Sequence, residues 1–355
     1  MRTMKHTRPL LIAALAAPVL LAFSMPRDTI AFHPSEGTTI TKTFKHKADM
    51  TVDDMEVLMN GQENPMMPEM ETESTEVSIV VVTDKYVATE DGVPMMLLRT
   101  FDEISFDSKS LVAMEMMGES QDFNLEGEGT SALEGKTVAF KMEEGDYEKS
   151  FVEDEGDEQL LEELTEDMDL RVFLPDGDVS EGDSWDVDAG RLRDFLFPGG
   201  DLSIDIESVG DEPPSPAMDP SHSPGMNKIW GETEGDATAT YTGTHDVDGT
   251  LVAVIEIEID IKTANDLSEF FSEMLGDILE GMEIDVSSVD MEVSMTGKGE
   301  LLWNVRAGHI YSFEMSGEID ITSDSVMEMD MGGQTISIEE SISMSGTYVT
   351  TVTVE

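Results

Sequence analysis

Residues 255–262 read Ile-Glu-Ile-Glu-Ile-Asp-Ile-Lys, a strict alternation of apolar and charged side chains. A period of two puts every isoleucine on one face of an extended strand and every charge on the other. The segment predicts a sheet with one face in a core and one in water, which is the antiparallel habit. The pattern recurs at 311–321, where Tyr311, Phe313, Met315, Ile319 and Ile321 share a face with Gly317, a mark of a bulge or a close backbone approach. Residues 336–344 repeat it, with Glu340 interrupting the apolar side, and 77–82, 136–142 and the β-branched 347–355 extend the list of strands. Short turns separate them, among them Glu90-Asp91-Gly92, Asp246-Val247-Asp248-Gly249 and Gly332-Gly333.

Two segments change period. In 265–282, Leu267, Phe270, Phe271, Met274, Leu275, Ile278, Leu279 and Met282 recur at helical spacing behind Asn265 as N-cap. A shorter helix is predicted over 157–168, with Leu160, Leu161, Leu164 and Met168 inward. The predicted class is therefore α+β, mostly antiparallel, with one or two curved, half-barrel-like sheets each packed by an amphipathic helix. Residues 1–24 read as a signal peptide: a basic start, a 14-residue apolar run at 10–23 and a small-x-small site at Ala22-Phe23-Ser24. An extension at 25–36, a β-rich lobe over 37–209 with helix 157–168, a proline-rich linker at 210–225 and a second lobe over 226–355 with helix 265–282 complete the division. Residues 59–74 are expected to form an irregular insertion.

Export and charge bound the function. The chain carries 77 Asp and Glu against 20 Lys and Arg, a formal charge of −57, and has no cysteine. Nucleic acid is excluded for want of a basic footprint, and disulfides, thiolate metal sites and a cysteine nucleophile are excluded with the cysteines. The acid excess suits salty or calcium-bearing surroundings. The expected product is periplasmic or secreted, soluble and without a membrane span, its partner a hydrophobic small molecule or an extracytoplasmic protein.

Gly182-Asp183-Ser184-Trp185, after Leu174-Pro175-Asp176-Gly177, resembles the G-D-x-W strand entry of exported bacterial families. Gly297-Lys298-Gly299-Glu300-Leu301-Leu302-Trp303, followed by Gly308, resembles their closing hairpins, and some of these proteins are similar to the LolA-like lipoprotein-carrier fold. That resemblance implies a curved antiparallel sheet partly wrapped around helices, with an apolar concavity for an acyl chain.

No nucleophile elbow, phosphate loop, dinucleotide fingerprint or paired-histidine motif appears, so no enzyme is expected and no cofactor is required. The leading expectation is a non-catalytic binding protein for an acyl-like ligand, lined by Phe270, Phe271, Met274, Tyr311, Phe313 and Met315. The alternative is an acidic structural or cell-surface protein that binds calcium or a protein partner. Asp176, Asp178, Glu181 and Asp183 supply oxygen ligands at near-alternate positions, and Asp246 and Asp248 form a shorter set, although Asp-Gly turns have the same composition. Among 27 methionines, Met66, Met67 and Met70 are the set most suited to Cu(I), whereas Met327, Met329 and Met331 read as a buried or lipid-adapted strand face.

Overall fold

The computed structural model describes residues 27–63, 69–116, 119–153, 156–210, 230–278, 284–330 and 335–355. The alternating segments become strands, most of them longer than the pattern marked. In chain order they are β1 (Thr39–Met59), β2 (Gln62–Glu63), β3 (Glu69–Glu90), β4 (Val93–Met116), β5 (Glu119–Ser131), β6 (Thr137–Glu143) and β7 (Asp146–Phe151). β8 (Ser184–Asp186), helix α1 (Arg193–Leu196) and β9 (Ile204–Gly210) follow. Then come β10 (Glu232–Val247), β11 (Thr250–Asp266), helix α2 (Ser268–Ile278), β12 (Ile284–Asn304), β13 (His309–Asp330) and β14 (Thr335–Val354).

All join one antiparallel sheet in the order β7-β6-β4-β3-β1-β14-β13-β12-β11-β10-β8, with β5 branching from β4 and β9 from β5. β4 forks: Met96–Thr100 pairs with β6 and Ser105–Met116 with β5. Because β1 pairs with both β3 and β14, strands from either side of 210–225 belong to the same sheet. Two-residue turns at Asn60-Gly61, Asp91-Gly92, Glu144-Gly145 and Asp248-Gly249 have positive φ at both positions. That is the type I′ geometry whose twist matches the strands it joins.

The α+β expectation is corrected by this architecture: 70% of the described residues are strand, and among them are two short helices and one open sheet of 14 strands that no amphipathic helix covers. Residues 157–168 form only a 3₁₀ turn at Glu158–Leu161 before the chain becomes irregular. Leu161, Leu164 and Met168 are buried as the periodicity predicts. The carbonyls of Thr165, Glu166 and Met168, among the last four that a helix over 157–168 would leave unpaired, accept from Arg99 and Lys42. In the second segment Asn265 and Asp266 end β11 rather than start the helix, since Asp266 pairs with Asp290. The Asp266 carboxylate then accepts from the Ser268 amide at 2.9 Å, and α2 stands at the end of β12. Residues 59–74 continue β1 into a hairpin and open β3 at Glu69, with 64–68 outside the described residues. The signal-peptide residues 1–24, most of 210–225 and Gly332-Gly333 also lie outside them.

The sheet curls. Flat, the four strand spacings from β3 to β12 amount to roughly 19 Å. Yet the Phe32 ring lies 5.6 Å from Tyr86 on β3 and 6.4 Å from Trp303 on β12. Small residues on the inner face permit the bend: Gly297 faces Gly317 across β12 and β13, and Tyr348 lies over them. A Cβ at Gly317 would strike the Thr296 carbonyl, which is the close approach that this glycine marked in the sequence.

Other parts of the chain fill one end of the curl. Residues 28–37 run across the strands: Tyr241 donates to Asp28 at 2.7 Å, Trp303 Nε1 to the Ala31 carbonyl at 3.2 Å, and the Gly37 amide to the Tyr86 carbonyl at 2.7 Å. Phe173 stacks on Phe313 at 5.9 Å, and Phe195 meets both rings edge-on. The core forms here, with Leu97, Phe101, Phe140, Phe173, Trp303 and Met315 fully buried.

Candidate functional site

At the filled end the inner face holds a set of charges that the alternation did not announce as a group. Lys42, Asp84 and Arg99 each occupy an inward, otherwise apolar position, as in the run Ile40, Lys42, Phe44. Cross-strand register brings Arg99 opposite Asp84, and their side chains pair through two bonds of 2.7 and 2.8 Å. Lys42 Nζ donates to Asp84 at 2.9 Å, to Asp169 at 2.6 Å and to the Tyr86 hydroxyl at 2.9 Å, while Tyr86 donates to Asp169 at 2.6 Å. All four charged side chains are fully buried, and two cations balance two anions. Burial opposes the charge on Asp84, but Arg99 and Lys42 outweigh it and hold the carboxyl at about 2. Every donor of Lys42 and Arg99 that reaches Thr165, Glu166 or Met168 ends on main-chain carbonyl. The cluster fastens the irregular segment to the sheet floor.

Beside it, Glu166 pairs with Arg171 through one oxygen, while its other oxygen is buried without a hydrogen-bond partner. Burial pushes the Glu166 carboxyl up to about 7, against the pull of Arg171. Arg171 also pairs with Asp167 at 3.0 Å and lies 4.9 Å from the Phe32 ring. These groups lock the filled end.

The other end of the same strands is different. Beyond Ile321 on β13, Met344 on β14 and Val52 on β1, the inner face is half-buried rather than buried, Ser325 excepted. Its side chains include Met55, Val57 and Met59 on β1, Met327 and Met329 on β13, and Ile338 and Ile342 on β14. Methionine and isoleucine in this setting make a long apolar surface whose unbranched members adapt to what they meet. One row carries polar groups: Val289, Ser325, Glu340 and Val57 stand opposite one another on β12, β13, β14 and β1. Ser325 is 8% exposed, and its hydroxyl has no hydrogen-bond partner. Burial raises the Glu340 carboxyl above its ordinary value. Helix α2 borders this row, since the Leu267 amide donates to the Val289 carbonyl at 2.8 Å and the Val289 amide to Ser268 Oγ at 2.9 Å.

The six residues expected to line an apolar concavity do not converge. Phe270, Phe271 and Met274 lie on α2 at the open end, half-buried, with the two phenyl rings 5.5 Å apart. Phe313 and Met315 are buried in the filled end. From Met315 to Ser325 along β13 is roughly 33 Å at the usual strand rise. Tyr311 is the extra residue of a bulge between Leu302/Trp303 and β13.

The acid loops are held by turn chemistry. Asp178 accepts from Thr29 at 2.6 Å, Asp183 from the Ser180 amide at 2.8 Å, and Asp246 from the Gly249 amide at 3.1 Å. Asp176 and Glu181 sit in the same β8-entry loop, and Asp248 has the positive φ of its turn. Among the described residues no group of three or more His, Asp or Glu side chains is arranged to hold a metal ion. Met70 is on β3, while Met66, Met67 and Met331 lie outside the described residues.

Sequence reading missed the Lys42–Asp84–Arg99–Asp169 cluster, although three of its members stood out as charges at apolar positions. It did mark Glu340, as the residue that breaks the inward pattern of 336–344.

No family model matches the chain, and no curated protein does. Solved structures similar to it include the beta domain of the Bordetella autotransporter BrkA, at 8% identity over 88% of this chain and 99% of that one, with a TM-score of 0.16. The transport unit of the autotransporter AIDA-I from Escherichia coli matches at 9% identity over 89% of this chain and 90% of that one, with a TM-score of 0.13. At such scores the likeness carries no argument beyond the β-rich character, and it lends the LolA-like resemblance no support. No helix among the described residues is long and apolar enough to cross a membrane.

Proposed function

We propose that this chain is a non-catalytic binding protein whose hydrophobic ligand lies along the open, methionine-lined half of the curled sheet. The observation that carries the reading is the contrast along single strands. β1, β13 and β14 bury their inner face under Phe32, Phe173 and Phe195 at one end and leave the same apolar face half-buried at the other. A contiguous apolar face left half-buried marks a place where a partner or ligand gains by covering it. Covering it is favourable by about 25 cal/mol per Å² of apolar area. The ligand surface is an open trough edged by Phe270, Phe271 and Met274, and Phe313 and Met315 belong to the core beneath the filled end. Export, expected from residues 1–24, places the binding outside the cytoplasm.

The test is a native mass spectrum of the full folded chain with dodecyl maltoside below its micellar concentration. A one-to-one adduct that Met327→Glu abolishes, with the fold intact by circular dichroism, supports the reading. A bare mass at every concentration, or an adduct indifferent to Met327→Glu, overturns it.

A further inference from the structure

Glu340 is an anomaly on the open face. It projects inward between Ile338 and Ile342, opposite Val57 and Ser325, and pairs with no cation among the described residues. The inward-facing lysine of β1, Lys42, lies at the far end of that strand and is already bound to Asp84 and Asp169. Ser325, directly across from Glu340, is more than nine-tenths buried and its hydroxyl is unused. A carboxylate and an idle hydroxyl, side by side on an apolar wall, leave hydrogen-bonding capacity unspent where water is scarce. Such groups cost stability unless a partner arrives.

We infer that Glu340 and Ser325 form the polar end of the ligand site and receive a primary ammonium group carried on an apolar chain. This rests on the open face being a binding surface and names the chemistry of what binds. An ammonium has three donors and no acceptor, so it matches an acceptor-only carboxylate and still serves a hydroxyl oxygen. Its alkyl body extends along the Met327, Met329 and Met59 surface. A carboxylate headgroup would meet Glu340 as a like charge, and the −57 charge of the whole chain repels it further. Burial already disfavours the ionised form of Glu340. A bound cation restores it, so the charge pair forms only when the site is occupied.

The experiment compares dodecylammonium, dodecanoate and dodecyl maltoside on the full chain by calorimetry and native mass spectrometry. It is run in about 0.5 M salt, where attraction to the acidic outer surface is screened. Dodecylammonium is expected to bind one-to-one, at least tenfold tighter than dodecanoate. Glu340→Gln should erase that preference and Ser325→Ala should weaken it several-fold. Glu318→Gln, on the outer face of β13, should leave the preference untouched. Equal binding of the two charged ligands, a preference that survives Glu340→Gln, or one that falls in Glu318→Gln overturns the inference while the binding surface stands. If none of the three ligands forms a one-to-one adduct, or the apolar face is instead occupied by a second copy of the chain, the binding surface itself falls.

Discussion

At the level of Phe313 and Tyr86 the inner face of the sheet lies beneath other parts of the chain; at the level of Met327 and Val57 the same strands leave the same face half-buried. The two halves share a sheet, a register and a period of two. They differ in what crosses them. Residues 28–37 and 157–203 lie over the first half, held by Lys42, Arg99, Trp303 and Tyr241. The inner face of the second half is bordered by the short helix α2. Alternation thus sets which side chains point inward, while segments without regular structure decide where inward means buried. The polar residues follow the same division. At the filled end Lys42, Arg99, Asp84 and Asp169 are matched and hydrogen-bonded, whereas at the open end Glu340 and Ser325 have no partner among the described residues.

The sharpest way to break this contrast is at Asp84. Asp84→Ala strands Arg99 in the core and leaves Lys42 only Asp169 as counter-ion, and urea unfolding should show a loss of about 3–5 kcal/mol. A loss under about 1 kcal/mol would mean that the cluster does not hold the filled end together. Phe173→Ala empties space between Phe195 and Phe313 and is expected to cost about 3–5 kcal/mol, against less than about 1 kcal/mol for Met327→Ala in the open half. Equal losses in the same unfolding assay would erase the distinction between the halves.

Glu166 sharpens the comparison through pH. Its carboxyl is raised from 4.5 to about 7, so it binds its proton more readily folded than unfolded. Its contribution is complete below the unfolded value and is lost as pH rises through the folded one. Glu166→Gln should flatten the stability curve between those two values, removing a dependence on the order of 3 kcal/mol. An unchanged curve would show the carboxyl to be better solvated than the structure has it. The smallest effect is expected at the open end, where Glu340→Leu, replacing an unpartnered carboxylate, should raise stability by no more than about 1 kcal/mol in thermal unfolding. A clear loss would mean that Glu340 has a partner in the folded chain.

Legibility followed the range of the interactions. The faces of β11 and β13 were readable because Ile255, Ile257, Ile259 and Ile261, or Phe313, Met315, Ile319 and Ile321, repeat every second residue. The hairpins were readable where a small polar residue precedes glycine, as at Asp91-Gly92. The segment 157–168 misled because Leu160, Leu161, Leu164 and Met168 keep their spacing in a loop as well as in a helix. The loop is held by Arg99 and Lys42, more than sixty residues away in sequence, which take the carbonyls of Thr165, Glu166 and Met168. The curl and the cross-strand neighbours of Asp84 depend on register, which local alternation leaves open. Glu340 was visible as a break in a pattern, but Ser325 became notable only once it stood opposite.

The pairing of β1 with β14 also sets a timetable. Lys42 meets Val354, and Met59 meets Ile338, so β1 finds this neighbour only once residues 335–354 have been made. Residues 28–34 likewise await Trp303 and Gly308. Contacts so distant in sequence fold slowly. Until then β1 offers an unpaired edge to any passing strand. A chain built in this way has most to gain from a chaperone during its synthesis, and truncation by even one hairpin at its C-terminus would expose the middle of the sheet rather than its margin.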